Sequence, residues 1–119
     1  EQNLPWVFVD RNQMKQVLLN LIHNALQAMP DGGKLTIVTK AQSRDARQWI
    51  TVAVRDTGIG IASEDRERIF EPFFTTRGNK GGTGLGLSVT YGIVTDHGGQ
   101  IDVDSHLSQG ACFTVWLPI

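Results

Sequence analysis

Two asparagines, an aspartate at a strand end and a cluster of glycines are the residues of this chain whose types and spacing could do chemistry. Asn20 and Asn24 stand one helical turn apart, so their amides can converge on one ligand, and an amide oxygen is a suitable hard donor for Mg²⁺. They sit on a polar face made of Gln13, Gln16, Asn20, His23, Asn24 and Gln27, which carries almost no charge. A solvated face normally uses Lys, Glu and Arg, which are also better helix formers than Asn. The alternative is a pair of asparagines bonding to a neighbouring loop. Asp56-Thr57-Gly58-Ile59-Gly60 follows a strand-like run. A carboxylate there can accept a hydrogen bond from an exocyclic amine, with Gly58 and Gly60 letting the backbone approach a flat ring. Equally, Asp56 can close an Asx-type turn on its own backbone. The third signal is Gly81-Gly82-Thr83-Gly84-Leu85-Gly86-Leu87, which runs straight into a helical segment. Free N–H groups at a helix start bind anions such as phosphate, and glycines remove side chains that would block approach. Arg77 and Lys80 are the charges of the preceding loop, and both are positive; the alternative is a flexible linker with two solvated cations. No Gly-Lys-Ser/Thr follows these glycines, so this is not a Walker loop, and with Leu87 in place and no strand before it the dinucleotide fingerprint fits poorly.

These groups need elements to hold them. Trp6 to Val9 reads as a short strand, and Asp10 is a candidate N-cap for a helix from Arg11 to Met29. In that helix Met14, Val17, Leu18, Leu21, Ile22, Ala25 and Met29 recur at steps of three and four and form one buried stripe. Pro30-Asp31-Gly32-Gly33 ends it as a turn. Lys34 to Lys40 and Trp49 to Arg55 alternate as strands, with Ser43 to Gln48 as the loop between them. A short helix is expected from Ser63 to Ile69. Leu85 to Asp96 is again helical, closed by His97-Gly98-Gly99 as a glycine C-cap. Gln100 to Asp104 and Ala111 to Leu117 finish the chain as two strands joined by a turn around Ser108 to Gly110. Strands in adjacent pairs, with three helices, predict a two-layer α/β sandwich rather than a doubly wound parallel sheet.

Composition narrows the classes. At 119 residues one domain, 1–119, is expected. Forty per cent hydrophobic and 19% charged residues with a mean hydropathy of -0.15 exclude disorder as the main state. Apolar runs are far shorter than the roughly 20 residues a membrane span needs. Net charge is -1, so no global field attracts nucleic acid or an anionic membrane. The single cysteine, Cys112, can make neither an internal disulfide nor a zinc cluster; it reads as a small core residue in a reducing, cytoplasmic compartment. Because the chain begins at Glu1 with a strand-like segment almost at once, it is expected to be the C-terminal part of something longer.

Taken in order, four blocks resemble the catalytic ATP-binding domains of sensor histidine kinases, within the group shared with gyrase, a heat-shock chaperone and a mismatch-repair ATPase. They are Asn20-Leu-Ile-His-Asn24-Ala25, Asp56-Thr-Gly58-Ile-Gly60, Phe70-Glu-Pro-Phe73-Phe74 and Gly82-Thr-Gly84-Leu-Gly86-Leu. The resemblance spans essentially the whole chain, and the stretches around Asn24 to Met29 and Phe70 to Thr76 look most like the nitrogen-regulation type. It implies a Bergerat-type fold with a mixed sheet and the cofactors ATP and Mg²⁺. It also implies that Asn24 coordinates the metal with Asn20 assisting, and that Asp56 reads the adenine amine. Gly58 and Gly60 would then allow close approach of the base. Thr83, Gly84, Leu85, Gly86 and Leu87 would meet the phosphates, with Arg77 or Lys80 adding charge. The segment from Phe74 to Thr83 looks like the family's mobile lid. Phe70, Phe73 and Phe74 would anchor its near end and dock on the partner domain, unless they are plain core packing.

Two positions depart from the family pattern: Gln27 stands where a basic residue is common, and Ala111 where a hydroxyl residue often stands near the base. None of His23, His97 and His106 lies in a His-Glu/Asp-x-x-x-Pro setting like the family's phosphoacceptor; they read as a helix-face residue, a cap and a surface residue. The resemblance therefore implies transfer of the γ-phosphoryl group of ATP to a histidine on an upstream dimerisation domain. A response regulator would be an indirect partner, the parent could be membrane-anchored, and this domain would be monomeric. The alternatives are a gyrase-like or chaperone-like ATPase, a serine kinase of the anti-sigma type, and a nucleotide-binding docking module without catalysis.

Overall fold

A computed structural model describes residues 9–61, 68–70, 86–106 and 109–119. Helix α1 (Arg11–Gln27) begins where expected, because Asp10 adopts extended backbone (φ -77°, ψ 117°) and its side chain accepts a hydrogen bond from the Gln13 N–H at 2.9 Å. It stops before Met29: the Ala28 N–H is shared between the Asn24 and Ala25 carbonyls, and Gly32, at φ +93°, turns the chain away. Val17, Leu21 and Ala25 are buried on one stripe, as their spacing predicts, while Leu19 and Leu26 face solvent.

Strands β1 (Leu35–Arg44) and β2 (Arg47–Asp56) form a hairpin. They are longer than the alternating runs suggest, and the expected loop from Ser43 to Gln48 shrinks to the two residues Asp45 and Ala46. Both take positive φ (54° and 60°), the geometry of a tight hairpin turn whose twist matches that of the strands. That frees Ser43, Arg44, Arg47 and Gln48 to pair across the ladder.

Helix α2 (Gly86–Asp96) ends in the predicted glycine cap: the Gly99 N–H reaches the Val94 carbonyl at 2.9 Å and the Gly98 N–H the Thr95 carbonyl at 2.9 Å, with Gly98 at φ +74°. His97 does more than cap. Its Nδ1 donates to the Ile93 carbonyl at 2.8 Å, and its Nε2 accepts from the Asp10 N–H at 3.1 Å, which ties the end of α2 to the start of α1.

Strands β3 (Gln100–His106) and β4 (Gly110–Pro118) complete a four-stranded sheet of order β1-β2-β4-β3. All three pairings are antiparallel, so the expected mixed character is not seen among the described strands. Short connections dictate this for β1–β2 and β3–β4, since a parallel pair needs a long crossover, and β4 then pairs antiparallel with β2 across α2 and β3. The expected first strand lies outside the described residues except for Val9, which packs against the core. Of the helix expected from Ser63 to Ile69, residues 63–67 also lie outside them.

The two layers meet at Val17, Leu21, Ala25 and Val94 from the helices and Val54, Phe113, Val115 and Leu117 from the sheet. Cys112 is half-buried rather than in this core. Its place in the alternation explains this, because Ala111 and Phe113 take the core-facing positions. On the opposite face of the sheet, Arg44 stacks 3.5 Å over the Trp116 ring and pairs with Asp102 at 2.7 Å. No helix among the described residues is long and apolar enough to cross a membrane.

Candidate nucleotide-binding site

The site lies where the sheet meets the facing ends of α1 and α2. Asp56 ends β2 and is only 3% exposed. Its Oδ1 accepts from the Gly58 N–H at 2.9 Å and from the Ala111 N–H at 3.3 Å. The Asx-type bond weighed against a ligand role therefore exists, yet it occupies only one carboxylate oxygen. Among the described residues Oδ2 accepts no hydrogen bond. Ala111, where a hydroxyl residue was the family pattern, serves Asp56 through its backbone instead.

The loop after Asp56 is seated on both layers. A Cβ at Gly58 would collide with the Ala28 carbonyl, and the next N–H, of Ile59, donates to that carbonyl at 3.0 Å. Gly58 thus serves the close approach of this loop to the end of α1 as well as any approach of a ring. Gly60 has φ +72°, which only glycine adopts without strain. The Ile61 N–H donates to Ser105 Oγ at 2.7 Å, and that hydroxyl donates to the Gly110 carbonyl at 3.2 Å.

At the other end of the site, α1 meets the start of α2. Asn20 Nδ2 donates to the Gly86 carbonyl and to Thr90 Oγ1, both at 3.2 Å, while Asn20 Oδ1 accepts from Gln16 Nε2 at 3.1 Å. Asn20 therefore does what the alternative reading described, bonding to a neighbouring segment, and that segment is the mouth of α2. Asn24 is half-buried one turn further along and is itself held by a contact. Among the described residues, a Cβ at Gly86 would meet only Asn20 Cγ, at 3.9 Å, so Asn20 stands at the start of α2. Leu87 directs its side chain to the core, leaving only its backbone for a ligand.

Thr83, Gly84 and Leu85, the cations Arg77 and Lys80, and Phe73 and Phe74 lie outside the described residues. Phe70 packs inward: its ring stands 5.3 Å from Tyr91 and 6.4 Å, edge-to-face, from Phe113. That is the core role weighed for it.

The donors of this site suit a hard cation carried on phosphates. They are neutral amide oxygens beside the start of α2, and among the described residues no three His, Cys, Asp or Glu side chains come together to hold a metal by themselves. Sequence reasoning missed Thr90, Ser105, Gln16 and the Ala111 N–H as supports of the site. For Thr90 and Ser105 a signal existed: each is a polar residue in phase with an apolar stripe, and each is buried, at 0% and 3% exposed.

Residues 9–119 match the family model described as histidine kinase-, DNA gyrase B-, and HSP90-like ATPase. The chain belongs to this family. Within it, the chain corresponds to the catalytic ATP-binding domain of sensor histidine kinases. Sporulation kinase E of Bacillus subtilis is 38% identical over 117 residues, covering 98% of this chain and 15% of that protein. The sensor histidine kinase ZraS of Escherichia coli K12 is 40% identical over 116 residues, covering 98% of this chain and 24% of its own. The chain thus spans about a quarter or less of these relatives. Among solved structures, the nucleotide-free catalytic domain of histidine kinase ThkA superposes with a TM-score of 0.77 at 39% identity, covering 92% of this chain and 68% of that one. Full-length ShkA, solved in complex with AMPPNP, superposes with a TM-score of 0.78 at 35% identity over 97% of this chain and 23% of that one. The α/β architecture of this kinase domain is the one the four sequence blocks imply.

Proposed function

We propose that this domain binds Mg-ATP and donates the γ-phosphoryl group to a histidine on a dimerisation domain outside this chain. The observation that carries the reading is the divided carboxylate of Asp56: Oδ1 is held by two backbone N–H groups, and Oδ2 remains to accept from the adenine amine. Gly58 and Gly60 shape the loop beside it. Asn24, with Asn20, would hold Mg²⁺ through amide oxygens, and the start of α2 at Gly86 and Leu87 would offer backbone N–H groups to the phosphates. Bound Mg²⁺ neutralises phosphate charge, and the described residues supply orientation rather than a nucleophile. Thr83, Gly84, Leu85, Arg77 and Lys80 complete the phosphate side on the strength of the resemblance alone.

Hydrolysis of the gyrase or chaperone kind is the second reading. In those relatives a glutamate four residues before the metal-binding asparagine activates water, whereas Asn20 stands there in this chain. An amide takes no proton at neutral pH, and this one already uses both its ends in hydrogen bonds. Transfer to a protein nucleophile fits better. The partners would be an upstream dimerisation domain and, through it, a response regulator, in the cytoplasm.

Calorimetric titration with ADP and a non-hydrolysable ATP analogue, with and without Mg²⁺ and with GTP as control, tests the site. Adenine-selective, metal-assisted binding is the expected result. Phosphorylation of a separately supplied dimerisation domain then tests the kinase reading. Absence of adenine nucleotide binding would leave a docking module that keeps the fold without its catalysis.

A further inference from the structure

Asn20 is placed by its neighbours with one particular end outward. Thr90 is fully buried on α2, and its hydroxyl proton is committed to the Gly86 carbonyl at 2.9 Å. Its Oγ1 can then meet Asn20 only as an acceptor, so the Asn20 amide must present its NH₂ side, at 3.2 Å. The Gly86 carbonyl makes the same demand on the same Nδ2 at 3.2 Å. Two acceptors on α2 thereby exclude the flipped amide and leave Oδ1 free of α2's hydrogen bonds, covered by the exposed Gln16 with Nε2 at 3.1 Å.

We infer that Thr90 is a positioning residue that fixes the amide of Asn20 with its oxygen toward the phosphate-bound cation, and that Gln16 is a stand-in donor that the cation displaces. This rests on the nucleotide reading proposed above. Without the Thr90 acceptor, the amide loses one of the two contacts that oppose its flip. Without Gln16, the oxygen loses its competitor. The two substitutions therefore act in opposite directions on the same quantity, the factor by which Mg²⁺ tightens nucleotide binding. A role in packing alone would not separate them.

The test measures the affinity of the whole domain for AMPPNP by calorimetry, with Mg²⁺ and with EDTA, for the wild type, Thr90→Val, Thr90→Ser and Gln16→Ala. Valine fills the buried site and removes only the oxygen; serine restores it. In Thr90→Val the Mg²⁺ factor is expected to fall about fivefold, the weight of one hydrogen bond, while the metal-free affinity stays within about twofold. Thr90→Ser should return the factor to the wild-type value, and Gln16→Ala, an exposed change that leaves the fold intact, should raise it about two- to fivefold. An unchanged factor in Thr90→Val, an equal loss with and without metal, or failure of serine to rescue overturns the role of Thr90. A factor unchanged or lowered in Gln16→Ala overturns the role of Gln16 and stands even if the valine variant does not fold. A wild-type factor of one would instead overturn the metal reading on which both depend, so the two failures are told apart.

Discussion

Replacing Asp56 by asparagine isolates the contribution of a single oxygen. In the folded domain Oδ1 holds the Gly58 and Ala111 N–H groups at 2.9 and 3.3 Å, and an asparagine Oδ1 can accept both of these bonds. The loop therefore keeps its shape, at a cost of about 1 kcal/mol for the lost charge assistance. At the second position the change is one of sign. An NH₂ group replaces the Oδ2 acceptor and faces the exocyclic amine of adenine donor to donor. A buried charge-assisted hydrogen bond contributes about 1.5–3 kcal/mol, so ADP affinity should fall by about one to two powers of ten. Titration with ADP in EDTA reads the base end of the site without the metal, and a thermal melt of the same sample reads the fold. Asp56→Ala provides the contrast, because it strands the buried Ala111 N–H and the half-buried Gly58 N–H and should cost about 2–4 kcal/mol of stability besides the binding. A dissociation constant for Asp56→Asn within about threefold of the wild type, in a folded protein, would remove Asp56 from the base-reading role.

Gly58→Ala should destabilise the domain by about 2–3 kcal/mol in urea titrations, because the new methyl group meets the Ala28 carbonyl and displaces the Ile59 N–H from it; a loss below about 0.5 kcal/mol would mean that the loop is free to move. Ala46→Gly should act in the other direction. Relief of the left-handed backbone at φ 60° outweighs the greater freedom of glycine in the unfolded chain, so the urea midpoint should rise by the equivalent of about 0.5–1 kcal/mol at constant slope, and a lower midpoint would show that the turn is not strained.

The parts of this fold that follow a periodicity were legible in the residues. The stripe of Val17, Leu21 and Ala25 and the alternation of Phe113, Val115 and Leu117 need only a count of three and four or of two, and Asp10 and Gly98 supply start and stop chemistry at recognised places. The hairpin turn was not legible, because Asp45-Ala46 lacks the glycine that usually marks positive φ. His97 shows the same limit in the site's supports. A glycine cap can be read from sequence, but a hydrogen bond from the N–H of Asp10, 87 residues earlier, exists only once two helices are packed. Gly58 was read for a ligand's sake, whereas its first observed obligation is to the end of α1. A glycine announces close approach without saying what approaches.

The contacts divide the site into two ends with different supports. The proposed adenine end belongs to the sheet: Asp56 closes β2, its carboxylate accepts from the Ala111 N–H of β4, and the loop beyond it is held by Ser105 of β3. The proposed phosphate end belongs to the helix pair, where Asn20 clasps the start of α2 and His97 binds the two helices again at their other ends. A slide of α2 along α1 would have to break both clasps. Besides the shared core, the Gly58-Ile59 loop is seated on the Ala28 carbonyl at the C-terminus of α1. The carbonyl of Ala28 thus links the loop of Asp56, proposed to read the base, with the helix of Asn24 and Asn20, proposed to face the phosphates, four and eight residues earlier.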